Sequence, residues 1–258
     1  MPDAAASFDN AFDDPLLGPW LKGFPLDAPP LRRSRLRQAG WNVLAGDLPL
    51  PLAVLKADAL THNLAWMQAF ARERGLDLAP HGKTSMSPQL FRRQLDAGAW
   101  GITFATVWQL SVGVAAGVRQ AIIANQVDQP ADLVGLARLL ATTAGLRVVF
   151  LVDSVEQLRR IEAWRASQRQ APVFEVLLEM GVAGGRTGVR AHDDALALAR
   201  ALRASPALRL VGVECYEGLG VSGDAEADRA GTDAVHFDGD RRHGAFPGKA
   251  EAVRERPV

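Results

Sequence analysis

Arg147-Val148-Val149-Phe150-Leu151-Val152-Asp153-Ser154 is the stretch on which the fold turns. An unbroken apolar run of this length, rich in valine, reads as a strand covered on both faces, as parallel strands are. It ends on Asp153, and Ser154 with Gln157 has the spacing of a helix N-terminal capping box. A buried strand passing through a polar residue straight into a helix is one βα unit. Working outward, the same unit repeats. Further apolar runs read as strands are Ala53–Leu55, Leu76–Pro80, Ile102–Phe104, Ala121–Ala124, Val173–Met180 and Leu208–Cys215. Helical segments lie between them. Leu60, Leu64, Met67 and Ala71 form one stripe that Gly75 closes. Ser87-Pro88 reads as N-cap and first helical residue, with Gly98 near the stop. Thr106 and Gln109 repeat the capping-box spacing. Pro130 opens a helix with Leu133, Leu136 and Leu140 on one side, ahead of Gly145. A last helix runs from about Asp193 to a stop before Pro206.

Strands alternating with helices give an α/β protein, either an open doubly wound sheet or a closed barrel. A doubly wound dinucleotide fold should show G-x-G-x-x-G directly after a strand, and there is no such match and no Walker A motif. The glycine-rich stretch 181–188 has the wrong spacing for either. Polar residues sit just past the strand ends instead: His81 and Lys83, Thr106, Asn125, Asp153, Arg186, and Tyr216 with Glu217. A TIM-type (β/α)8 barrel keeps its chemistry there. The barrel is the expected fold, and it is incomplete: seven strands are readable where closure needs about eight.

The flanks differ from this core. Residues 1–45 are expected to be an irregular extension with a short helix near Phe12–Lys22, and 46–224 to be the barrel domain. The stretch 225–258 offers few sizeable apolar residues and no periodicity, the composition of a disordered tail. The 258 residues carry 29 basic and 29 acidic side chains, so bulk charge favours neither nucleic acid nor an anionic membrane as partner. Cys215 is the one cysteine, so no disulfide forms within the chain. It is expected to pack in the core. There is no signal-peptide pattern and no apolar run near the roughly 20 residues of a membrane span, so a cytoplasmic protein is expected.

Lys83 lies in Leu78-Ala79-Pro80-His81-Gly82-Lys83-Thr84, at the end of a strand and ahead of a helix cap. A lysine that attacks a carbonyl must do so as the free amine, and a desolvated site beside other cations favours that form. On its own it reads equally as a surface lysine in a βα loop. In extended chain His81 shares its face, where it would manage protons, pack on a cofactor ring or serve as a core histidine. Gly82 suits a close approach to a ligand or a sharp turn. Arg186 offers a fixed cation for a phenolate or carboxylate, and solvent exposure is the alternative. The hydroxyl of Tyr216 would reach a heteroaromatic nitrogen or water. His236 and His243 lack partners at ligand spacing, so no metal site is read.

Together the motifs become specific. Pro80-His81-Gly82-Lys83-Thr84 resembles the Pro-His-x-Lys-Thr signature of the D-threonine aldolase, D-serine dehydratase and amino-acid deaminase family. Ser87-Pro88, Gln94-Leu95-Asp96-Ala97-Gly98-Ala99-Trp100-Gly101-Ile102, Leu151-Val152-Asp153-Ser154, Gly184-Gly185-Arg186-Thr187-Gly188-Val189 and Tyr216-Glu217-Gly218 follow in order across residues 40–224. Trp41-Asn42-Val43-Leu44 and Ala124-Asn125-Gln126 are similar to the deaminase branch. The resemblance implies a fold-type III pyridoxal 5'-phosphate (PLP) enzyme with an alanine-racemase-like barrel and a C-terminal β domain. Lys83 would be its Schiff-base lysine, Arg186 would contact the phenolic oxygen, Tyr216 would lie by the pyridine nitrogen, and His81 would lie against the cofactor. The implied activity is that of a lyase on a small D-amino or β-hydroxy amino acid. D-serine-type ammonia elimination is preferred over retro-aldol cleavage, and the implied assembly is a homodimer.

The chain also departs from the family. The resemblance places Ala53–Leu55 in the β domain, leaving six barrel strands. Strands seven and eight, whose loops usually hold phosphate, are missing. So is the β domain, which supplies ligands for a divalent zinc or manganese in the dehydratase and aldolase branches. Residues Ser222–Ala234 follow the family loosely, and truncation or a frameshift near Val235 is expected. A non-catalytic PLP-binding protein and an inactive remnant therefore stay open beside the lyase.

Overall fold

The computed structural model describes residues 14–182 and 184–216. A short antiparallel pair, β1 (Leu16–Leu17) and β2 (Leu31–Arg32), opens the described chain. The Asp14 carboxylate fastens it, accepting from the Ser34 backbone N–H at 2.7 Å and its hydroxyl at 3.0 Å. The helix expected near Phe12–Lys22 is not formed over its described part, which carries β1 and turns. Pro15, Gly18 and Pro19 interrupt the segment within five residues, too often for helical hydrogen bonding.

The main sheet has five parallel strands in sequence order: β3 (Ile102–Phe104), β4 (Gln120–Gln126), β5 (Arg147–Val152), β6 (Phe174–Met180) and β7 (Leu208–Cys215). Six helices accompany the sheet: α1 (Ala57–Glu73), α2 (Pro88–Asp96), α3 (Val107–Ala115), α4 (Pro130–Thr142), α5 (Val155–Ala166) and α6 (His192–Ala204). The strand order never reverses, and right-handed crossovers then put the helices between strands on one face. Consecutive members of α2 to α6 indeed pack side by side. An unreversed parallel sector of this kind fits part of an α/β barrel, whereas a doubly wound sheet reverses its order. The described residues provide the sector without its closure.

Two expected strands change character. Ala53–Leu55 is irregular chain leading into α1, and Val54 and Leu55 stand exposed. Leu76–Pro80 forms no regular strand, yet its end runs alongside β3. Trp100 N–H donates to the Leu78 carbonyl, Thr103 N–H to Pro80, and Gly82 N–H back to Thr103, at 2.8, 2.9 and 2.8 Å. Pro80 lacks an N–H, so the ladder is broken by chemistry although the chain holds its place beside β3.

The core lies between the sheet and the helices, with Phe91, Phe104, Leu110, Leu133, Phe150, Ile161, Phe174 and Leu198 buried. β5 is buried along nearly its whole length, as its apolar text requires. Gly82 has a packing reason here. A Cβ at that position would meet Phe91 at 2.7 Å and Ile102 at 2.8 Å, so the backbone itself packs on the core. The caps hold as well. The hydroxyls of Ser87, Thr106 and Ser154 accept the N–H groups of Leu90, Gln109 and Gln157. Gln109 and Gln157 reach back one residue further than a capping box does, to the N–H of Ala105 and Asp153.

Candidate active site

Because every strand of the sector points the same way, all the βα junctions open at one rim. The backbone after Leu78 delivers His81 to it beside β3, and Lys83 follows in the turn that Met86 N–H closes on the Gly82 carbonyl. His81 is exposed and bridges to Thr103, while Lys83 is half-buried. No hydrogen bond or ion pair of the Lys83 amine occurs among the described residues. Its neighbour is His81, whose imidazole is held below its ordinary range, first by burial and then by the nearby Lys83 charge. Sequence proximity brings these two together.

At the far side of the sector, Arg186 and Tyr216 line one cleft with Met180, Gly181 and Thr187. Tyr216 follows β7 and is 58% exposed. Arg186 rides on the loop after β6, and its guanidinium donates to Asn125 Oδ1 at 3.4 Å. Asn125 sits near the end of β4 and is oriented by donating from Nδ2 to the Ala105 carbonyl at 3.1 Å. The structure thus pairs His81 with Lys83, and Arg186 with Asn125 and Tyr216. No hydrogen bond or ion pair among the described residues joins the two groups.

Sequence reading passed over what lies beneath them. The side-chain amide of Gln126 donates to Asp153 Oδ2 at 3.0 Å and to Glu179 Oε2 at 2.6 Å. Glu179, only 3% exposed, takes the Thr187 hydroxyl on its other oxygen. Glu214 faces Glu179 across the β6–β7 pair, and its Oε2 is buried with no hydrogen-bond partner. Burial, and then the charge of Glu179, push the Glu214 carboxyl above the ordinary range. One signal was available beforehand: acidic residues near the ends of otherwise apolar strands. Cys215 corrects its expected burial, because it lies on the exposed side of the edge strand β7. His236, His243, Glu217 and the expected tail at 225–258 lie outside the described residues. No helix among the described residues is long and apolar enough to cross a membrane.

Comparison with known proteins agrees with this architecture. The profile described as alanine racemase, N-terminal domain, matches residues 55–237. D-threo-3-hydroxyaspartate dehydratase of Delftia sp. (strain HT23) is 34% identical over 194 residues, covering 71% of this chain and 50% of that one. 3-Hydroxy-D-aspartate aldolase of Paracoccus denitrificans is 26% identical over 208 residues, 80% of this chain and 53% of its own. The chain spans about half the length of the curated relatives it matches. Among solved structures, D-threonine aldolase from Filomicrobium marinum superposes with a TM-score of 0.59 at 30% identity, over 65% of this chain and 44% of that one. Alanine racemase from Bacillus anthracis, at 17% identity and a TM-score of 0.56, shares the fold. By its strand order, by the rim on which its polar residues gather and by these matches, the chain belongs to the alanine racemase N-terminal domain family.

Proposed function

We propose that this chain is the barrel portion of a PLP-dependent lyase acting on small D-configured β-hydroxy amino acids. The observation that carries the reading is Lys83, an amine at the barrel rim with no hydrogen bond or ion pair among the described residues. It stands within the motif Pro80-His81-Gly82-Lys83-Thr84. The chemistry of the surrounding donors suits PLP. Arg186, whose described partner is the distant Asn125 oxygen, would hold the phenolic oxygen. Tyr216, exposed in the shared cleft, would hold the ring nitrogen, and Lys83 would hold the aldehyde carbon covalently. When bound, PLP supplies an electron sink for negative charge developing at the substrate Cα.

The chain's own residues then divide the remaining work. Lys83 Nζ, as a free amine, would serve as the base for the proton on the substrate Cα. His81, held toward its neutral form beside it, accepts or returns protons at the same edge. Among the relatives, names of both aldolases and a dehydratase occur. Their names share a D-configured substrate bearing a β-hydroxyl. We favour elimination of that hydroxyl, as with D-serine, over retro-aldol cleavage.

The test uses the full chain incubated with PLP, reduced with borohydride and mapped by peptide. The expected result is a yellow absorbance band and a reduced adduct on Lys83, absent from Lys83→Ala. D-serine, D-threonine and 3-hydroxy-D-aspartate would then separate release of ammonia from release of glycine. Label scattered over surface lysines, or no label, would overturn the reading in favour of a non-catalytic remnant.

A further inference from the structure

The loop between β6 and α6 is closed at its base and braced inside. Gly181 N–H donates to the Val189 carbonyl at 2.9 Å, and Val189 N–H to the Glu179 carbonyl at 2.8 Å. Within it the Arg190 guanidinium spans the carbonyls of Val182, Thr187 and Gly185. Gly188 takes φ +90°, and a Cβ there would lie 2.6 Å from the backbone of Gly181 and Met180, so the chain doubles back tightly on β6. Two bonds then tie this braced loop to the sheet. The Thr187 hydroxyl donates to Glu179, and Gly188 N–H donates to Asp153 Oδ2 at 3.2 Å. Both flank Arg186 directly on its C-terminal side.

The guanidinium of Arg186 has little to fix it by itself. Its bond to Asn125 is 3.4 Å long, near the limit of a useful hydrogen bond. What the structure fixes is the backbone from which it reaches, held by the ties at Thr187 and Gly188. The acceptor of the Thr187 tie is unusual for a stabilising contact. Glu179 is nearly fully buried, and among the described residues a hydroxyl and an amide hold it instead of a cation. Burying a carboxylate without a counter-ion is expensive, whereas a bond from a neutral donor to a charged acceptor is short and directional.

We propose that Glu179 and Thr187 are positioning residues: their bond fixes the loop so that the guanidinium of Arg186 is pre-set toward an anionic oxygen in the cleft it shares with Tyr216. The inference rests on reading Arg186 as a cofactor-binding residue. Thr187→Val removes the hydroxyl at nearly constant shape, and Thr187→Ser keeps it. Arg186 and Arg190 are exposed in the loop, so tryptic cleavage after them, without PLP, reports how often the loop opens. Thr187→Val should be cut roughly tenfold faster than the wild type, because a bond to a buried charge is lost. Thr187→Ser should match the wild type in cleavage and in melting temperature, while Thr187→Val should lose only the few degrees that one lost bond implies. Absorbance titration with PLP should show a comparable weakening for Thr187→Val alone. Thr187→Ala provides the same comparison if the valine variant fails to fold.

Wild-type cleavage rates in both Thr187→Val and Thr187→Ala would overturn the proposal, and so would faster cleavage with unaltered PLP affinity. If the wild-type chain places no PLP on Lys83, it is the lyase reading that fails. The cleavage comparison still decides whether Glu179 and Thr187 hold the loop.

Discussion

The two ends of the five-stranded sheet are built from the same residue types to opposite effect. At the amino end Glu175, at the start of β6, meets Arg147 from β5 at 2.7 Å and Arg209 from β7 on its other oxygen. Here one carboxylate is shared by two cations, and charge stitches neighbouring strands together. At the carboxyl end of the same strand Glu179 is held by Gln126 and Thr187, with Glu214 opposite it. No ion pair neutralises that end among the described residues. The difference teaches where this fold spends stability. The amino end is a fastening, while the carboxyl end keeps buried acids oriented by neutral donors, the arrangement of a rim that must receive something else.

The comparison breaks most sharply at Gln126, whose amide is the bridge between Asp153 and Glu179. Gln126→Leu leaves both carboxylates one donor short, and for the buried Glu179 that loss is costly. A loss of about 3 kcal/mol in urea unfolding is expected. A loss under about 1 kcal/mol would show that the carboxyl-end network is decoration. At the other end, Glu175→Gln removes the charge that both arginines face. Arg209 is 67% exposed, so solvent screens part of the effect, and about 1–2 kcal/mol is expected, shrinking in high salt. PLP labelling of Lys83 should not change. Salt-independent destabilisation would mean that packing, not charge, fastens the amino end.

Much of this organisation is legible locally, and the illegible part has a physical cause. The strand Arg147–Val152 follows from an unbroken apolar run, and the caps at Ser87, Thr106 and Ser154 follow from side chains that bond within three residues. Leu76–Pro80 keeps its place without the ladder of a strand because pairing depends on Pro80 and on β3, more than twenty residues away. Lys83, Arg186 and Tyr216 stand out in the sequence as candidates by type and motif. The set that orients the loop does not, because Gln126 and Glu179 are 53 positions apart. Nothing in the local pattern of either residue announces the other.

Glu214 provides the smallest and most selective probe of the difference between the ends. Its carboxyl is pushed above its ordinary 4.5, by burial first and by Glu179 second. A group raised in the folded state stabilises the fold fully below its unfolded value, and that contribution disappears as pH rises through the folded value. Glu214→Gln has no proton to lose. The difference in unfolding free energy between wild type and variant should therefore move in the variant's favour as pH climbs from 4.5 upward, then level off. His81 works in the opposite sense: held below its ordinary 6.5, it withdraws stability as pH falls beneath that value. It is present in both proteins, so it cancels in the difference curve. A difference curve for Glu214→Gln that is flat across this range would place its side chain in solvent contact. The rim would then carry its acids as freely ionised as any surface, and the contrast between the two ends of β6 would reduce to the fastening alone.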